Sequence, residues 1–306
     1  MCRFSDPEFV TFGSNDDPNS LQESHKLQFR TEGMVIIMSS RVQVLVAAMD
    51  EGGASLARKL GITTDAVIGC QCDKNGVERE TVGETDVVTY YSTERGVGRN
   101  RNVALEHATA EFCLIADDDM KYYDGYAETV ENAFDSHPDA DVIIFNVEEP
   151  RRKKPFVIEK PFRVRWHNFM RFATFRFAIR TAGIRENRIL FDLNFGGGTK
   201  YGHGEDSIFL ADCLKAGLRI IALPETVATL TYTRESTWFQ GFNDKYFLDQ
   251  GALYAAISPK NYGFLCLQDV IRHRKKYAVH GGAKENYDMM IAGAKEFLAS
   301  NSRTCG

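Results

Sequence analysis

No run in these 306 residues stays apolar for the roughly 18 to 20 residues that a membrane-spanning helix needs. The apolar runs that do occur, such as 42–49 and 142–147, have strand length. They exclude a spanning helix and point to a soluble chain, at most peripheral to a membrane. An excess of positive charge is missing as well: 37 Lys and Arg stand against 42 Asp and Glu, a formal net charge of −5. No global field draws such a chain to nucleic acid, and no nucleic-acid partner is expected. Paired cysteines are also missing. The seven lie scattered at positions 2, 70, 72, 113, 213, 266 and 305, and a lone C-x-C at Cys70 and Cys72 is not a zinc knuckle. The odd count, with no secretory leader ahead of it, predicts reduced thiols in a cytoplasmic protein, most of them acting as small apolar residues. No internal repeat is visible.

What remains is a chain of 43% apolar residues, ample for a packed core. Residues 1–40 are polar and without periodicity and predict a disordered or loosely packed extension. From Arg41 the pattern changes. Short apolar runs at Val42–Ala48, Ala66–Gln71, Asp86–Tyr90, Phe112–Ala116 and Val142–Val147 read as strands. Between them, Ala54–Leu60, Gly98–Ala108 and Tyr126–Phe134 read as helices. Buried strands alternating with helices predict an α/β fold, a mainly parallel sheet covered on both faces, with ligands at the carboxyl ends of its strands. The alternation loosens after Val147. Phe172–Arg180 reads as an aromatic strand, Asp206–Lys215 as a helix, and Leu218–Leu223 and Val227–Tyr232 as two further strands. Beyond Glu235 the pattern is helical. The boundaries expected are an extension over 1–40, an α/β domain over 41–234 and a C-terminal helical region over 235–306.

Asp117, Asp118 and Asp119 directly follow the apolar run Phe112–Ala116. Three adjacent carboxylates repel one another unless something positive sits among them. Hard oxygen ligands in that pattern suit Mg2+ or Mn2+, shared with the phosphates of a substrate. A solvated acidic turn is the plain alternative, and the place at the end of a buried strand argues against it. Two further stretches stand around this one. Upstream is the glycine-containing loop Arg95–Gly98 leading into Arg101-Asn102. Downstream is Gly204-Glu205-Asp206 at a helix start, where acidic residues are also expected simply to stabilise the helix.

In these stretches the sequence resembles the inverting family 2 glycosyltransferases, which have the GT-A fold, a Rossmann-like α/β sheet flanked by helices. Arg101-Asn102 matches the family's A-R-N helix, with Asn100 in place of its Ala. Ala110-Glu111-Phe112 matches the following strand, and Asp117–Asp119 supplies the D-x-D. Gly204-Glu205-Asp206 matches the E-D motif, and Phe191-Asp192 with Phe195–Gly198 matches the stretch before it. The resemblance covers roughly 42 to 232, with a donor-binding part at about 41–150 and an acceptor-binding part at about 151–234.

The resemblance implies a metal-dependent transfer of a sugar from a nucleoside-diphosphate donor, a UDP-sugar above all, to a hydroxyl of a glycan or lipid-linked oligosaccharide. Asp119 is then the main metal ligand, and Asp117 shares the metal or contacts the ribose. Asp118 lies beside them on the donor side. Ala47 and Ala48 face the nucleotide, Asp73 meets base or ribose, and Arg101 orders the carboxylates. Asp206 is the catalytic base and Glu205 orients groups beside it. Mn2+ or Mg2+ is the cofactor, and surface polysaccharide is the expected destination of the sugar.

Other signals are weaker. Gly96-Val97-Gly98 lacks the third glycine of a dinucleotide fingerprint, because Arg101 stands there. Gly196–Gly198 lacks the Lys of a phosphate loop and reads as a flexible acceptor-site loop. His203, His273 and His280 are candidates for a late metal ligand and more ordinarily structural. The basic runs Arg151–Lys154 and Arg272–Lys276 read as solvated faces that could also touch anionic lipid or glycan. Trp238, Phe239, Phe242, Tyr246 and Phe247 have near-helical spacing and read as core before sugar platform. A nucleotidyltransferase would want a basic phosphate loop after the first strand, where Met49–Gly53 is acidic. A catalytically silent nucleotide-sugar-binding protein would not need both acidic motifs.

Overall fold

The computed structural model describes residues 30–31, 34–35, 40–232 and 241–302. The first 39 residues form a unit of their own. In it β1 (Arg30–Thr31) and β2 (Met34–Val35) pair antiparallel. The rest of the expected extension lies outside the described residues.

The second unit begins at Ser40. Its first half runs β3 (Val42–Met49), α1 (Gly53–Lys59), β4 (Ala66–Gln71), β5 (Gly76–Val82), β6 (Thr85–Ser92), α2 (Val97–Glu106), β7 (Phe112–Asp117), β8 (Met120–Tyr122), α3 (Tyr126–Ser136) and β9 (Val142–Glu148). After it come β10 (Phe162–Arg163), two 3-10 turns, β11 (Phe177–Arg180), α4 (Thr181–Glu186), α5 (Glu205–Lys215) and β12 (Ile220–Leu230). The chain closes with α6 (Asp244–Ile257), α7 (Tyr262–Tyr277) and α8 (Ala283–Ser302).

One sheet holds the strand order β10-β12-β9-β11-β7-β3-β4-β6-β5, with β8 on β12. Strands β7, β3, β4 and β6 are mutually parallel, and β9 and β12 are parallel to each other. The short or edge strands β5, β8, β10 and β11 run the other way. Alternation along β3 explains the two faces. Val42, Val44, Val46 and Ala48 pack with Leu56 of α1 and Phe134 of α3, while Leu45 packs with Ala104 and Leu105 of α2 and Phe209 of α5. Helix α2 lies so close to β4 that a Cβ at Gly69 would overlap the Asn100 carbonyl, so this position admits only glycine.

Three details differ from the sequence expectation. The two strands expected at 218–223 and 227–232 are one strand, β12, whose pairing with β9 shifts register between Ala222 and Thr226, around Pro224. A proline cannot donate to the ladder, so the strand bulges there and continues. The strand expected from Phe172 begins at Phe177, after 3-10 turns at Phe169–Arg171 and Thr174–Arg176. Strand β5 has no apolar alternation to announce it: it is an exposed edge, polar from Glu78 to Thr81, and is held by its backbone pairing to β6. The last three helices enclose their own cluster of Phe247, Tyr254, Cys266, Val270, Tyr277 and Met290. Five cysteines fall among the described residues, all buried free thiols.

Candidate functional site

Strand β7 is buried over Phe112–Ala116 and becomes half-buried at Asp117, beside Ala47 of β3. This is the carboxyl edge of the parallel strands, where the ladder stops and backbone groups face outward. Helix α2 descends onto it and carries Arg101, which is 5% exposed. One guanidinium nitrogen of Arg101 lies 2.7 Å from Asp117 and another 3.0 Å from Glu205, 104 residues away in sequence. The Phe191 ring lies under the same group at 5.3 Å. Burial alone would drive the guanidinium toward neutrality, but Asp117 and Glu205 outweigh it and hold the charge more firmly than usual. The next residue, Asn102, clamps the Phe191 backbone, its amide donating to the carbonyl and accepting from the N–H, both at 2.8 Å. Adjacent residues of one helix thus fix a carboxylate from the sheet, one from α5, and the loop between them.

The three aspartates have separate surroundings. Asp118 turns back to accept the Met49 N–H at 2.9 Å. Asp119 is anchored through its main chain, its carbonyl accepting the Thr231 N–H at 2.7 Å. Buried Met120 follows and pairs with Leu230. The middle carboxylate is thereby drawn off, and the outer two remain half-buried at the rim. Among the described residues no three His, Cys, Asp or Glu converge as a closed metal cage. A Mg2+ or Mn2+ site shared with phosphates asks for only one or two carboxylates, and the donor set of Asp117 and Asp119 fits that.

The second acidic corner begins at Gly204, whose φ of 113° suits glycine. Glu205 and Asp206 then occupy the first turn of α5, where the helix dipole favours negative charge. Burial and the neighbouring Glu205 nevertheless push the Asp206 carboxyl up to about 7, against Arg101 and the Ser207 N–H at 3.1 Å. The loop in front is pinned to α2 by the Val97 N–H, which donates to the Gly197 carbonyl at 3.2 Å. The Thr199 hydroxyl lies 2.9 Å from the Asn194 carbonyl and 2.8 Å from that of Gly196.

The remaining expected residues fall in different places. Ala47 and Ala48 are buried, and Ala48 offers its carbonyl to the Asn100 amide at 3.3 Å. Asp73 is 96% exposed and pairs with Arg95 at 3.0 Å. Arg95 also faces Asp50 at 3.9 Å, a cation between two carboxylates that the sequence alone does not single out. His203 is held by Gln250 at 2.9 Å and stacks on Tyr246, while His273 pairs with Asp269 and His280 with Asp244. Each is engaged with the C-terminal helices. Buried Asp249 accepts the Gly202 N–H at 2.8 Å and, with Lys245, ties α6 to the loop before α5. Only its fold context reveals that role. Phe242, Tyr246 and Phe247 pack edge-on against Tyr277, as core rings do, and Trp238 and Phe239 lie outside the described residues. The guanidinium of Arg151, in the first basic run, sits 5.0 Å over Tyr232, next to the Thr231 that anchors Asp119.

Comparison with known proteins bears on the fold. Residues 78–186 match the family described as Glycosyl transferase family 2. That segment contains Arg101 and Asp117–Asp119 and ends before Glu205. The crystal structure of S. aureus TarS 1-349 in complex with UDP-GlcNAc superposes with a TM-score of 0.57 at 14% identity, over 86% of this chain and 92% of that one. The same TarS segment in complex with UDP gives 0.54 at 16%, over 86% and 92%. S. aureus TarS gives 0.55 at 15%, over 82% of this chain and 54% of that one. Comparison with curated proteins finds no match. The fold is that of the GT-A glycosyltransferases.

Proposed function

We propose that this chain, a family 2 glycosyltransferase with the GT-A fold, moves a sugar from a UDP-sugar to an acceptor hydroxyl with inversion at the anomeric carbon. One observation carries the reading: a single buried guanidinium, that of Arg101, bridges the carboxylate ending β7 and the one starting α5. A leaving-group side and an attacking side are thereby held together. Asp117 and Asp119 would hold Mn2+ or Mg2+, which supplies charge neutralisation for a departing diphosphate. Residues of about 41–150 bind the donor in this reading, Ala47 and Ala48 lining the nucleotide and Asp73 and Asp118 at its edge. Residues of about 151–234 bind the acceptor, a glycan or lipid-linked oligosaccharide on the cytoplasmic side.

The acceptor oxygen forms its bond to the anomeric carbon as the carbon–phosphate-oxygen bond breaks, and that electron pair leaves with the diphosphate. The acceptor proton passes to Asp206. A carboxylate whose pKa is raised to about 7 is a far better proton acceptor than an ordinary one. Glu205, fixed by Arg101, holds the negative charge that keeps Asp206 basic and orients the acceptor. A screen of nucleotide-sugars with and without Mn2+ tests the reading. A UDP-sugar at 100-fold its Kd should stabilise the fold by about 2.7 kcal/mol only when the metal is present. Stabilisation by nucleoside triphosphates alone, with no response to any nucleotide-sugar, would instead support a nucleotidyltransferase.

A further inference from the structure

Helix α7 buries Cys266, Asp269, Val270 and Tyr277 against the C-terminal cluster, and its opposite side is unusual for a surface helix. Phe264 is 67% exposed, Leu267 46% and Ile271 58%. At 3.6 residues per turn these three and Lys275 fall within an arc of roughly 80°. Arg272 and Arg274 flank that arc, one on each side, and Lys276 follows. Every exposed residue of α7 is apolar, polar or basic. Its one acidic residue, Asp269, is buried and bonded to His273 and to the Tyr277 hydroxyl. Exposed Val279 continues the apolar character just past the helix end.

A solvated helix face does not need three large apolar side chains, and a protein-binding face does not need a basic margin free of acid. The chain as a whole is negative, so this concentration of positive charge runs against the general balance. Apolar residues that enter an acyl boundary, edged by Lys and Arg that meet headgroups, are the pattern of a helix lying in the plane of a membrane surface. We propose that the outer face of α7 docks the protein on an anionic bilayer surface, with Phe264, Leu267 and Ile271 entering the headgroup region and Arg272, Arg274, Lys275 and Lys276 pairing with lipid phosphates. The proposal stands on this helix alone and does not depend on which sugar is transferred.

Co-sedimentation of the full chain with phosphatidylcholine vesicles, with and without a third of phosphatidylglycerol, tests it. Binding to the anionic vesicles only, weakening as salt rises, is expected. Neutralising the four basic residues to Gln should weaken partitioning about fivefold for each residue. The triple variant Phe264→Ser, Leu267→Ser, Ile271→Ser should lose the part of the binding that survives high salt. Both variants change exposed side chains, and an unchanged thermal transition confirms that they fold. No sedimentation of the wild type with anionic vesicles at low salt overturns the proposal, as does equal binding to neutral ones. Concentration-dependent dimerisation of the wild type that the triple Ser variant abolishes, without vesicle binding, assigns the face to a second copy instead.

Discussion

The two acidic corners that Arg101 joins are made of the same side chains and are built to opposite ends. At the end of β7 the crowding is relieved by dispersal: Asp117 takes the guanidinium, Asp118 is drawn back to the Met49 N–H, and Asp119 is held out at the rim by its own backbone. At the start of α5 it is kept: Glu205 and Asp206 stay side by side, and the Asp206 carboxyl rises to about 7. Dispersed carboxylates suit a cation with its phosphates. Where two crowd together, burial and the neighbour hold one of them, Asp206, up to about 7, which suits proton transfer. One cation, the Arg101 guanidinium, is shared between the two corners.

Removing the shared cation should break both corners at once. Arg101→Met leaves Asp117 and Glu205 without their partner, and the loss of one member of a buried ion pair costs about 3–5 kcal/mol. Chemical denaturation should register that cost in full. Arg101→Lys should fall between, because an ammonium cannot fork to two carboxylates as a guanidinium does. Asp119→Ala should touch only the first corner. Calorimetry should find that Mn2+-dependent UDP binding is lost while the thermal transition stays intact, and unchanged metal-dependent affinity would remove Asp119 from the donor site. The smallest effect concerns the second corner without substrate. With the Asp206 carboxyl held up to about 7, the unfolded chain releases this proton first, so its contribution to stability is full only below the ordinary carboxylate range and is lost progressively from there up through about pH 7. The melting temperature of Asp206→Asn should therefore gain on the wild type between pH 5 and pH 8. A constant difference across that range would show that Asp206 titrates as an ordinary carboxylate.

The two corners were not equally legible in the sequence. The first could be read locally, because β3, β4, β7 and β9 are buried on both faces and so appear as unbroken apolar runs, and the aspartates follow one of them directly. The second needed order along the chain, since an acidic pair at a helix start has an ordinary explanation in the helix dipole. What no local pattern conveys is the bridge. Arg101 meets Asp117 at a separation of 16 residues and Glu205 at 104, and only the descent of α2 onto Gly69 brings them together. The clamp of Asn102 on Phe191 and the hold of Asp249 on the loop before α5 were hidden for the same reason. Strand β5 and the continuity of β12 through Pro224 escaped because backbone pairing, not side-chain pattern, makes them strands.

The division of labour between the corners is tested most directly by Asp206→Asn, assayed for UDP-sugar affinity in Mn2+ and for transfer. The substitution keeps size and hydrogen-bonding shape and removes the carboxylate proposed to accept the proton. Donor affinity should stay within about twofold while transfer falls roughly 10²–10⁴-fold, the signature of an interaction made in the transition state. Transfer at the wild-type rate, with Glu205→Gln inactive, would contradict the account and move the base to the neighbouring residue.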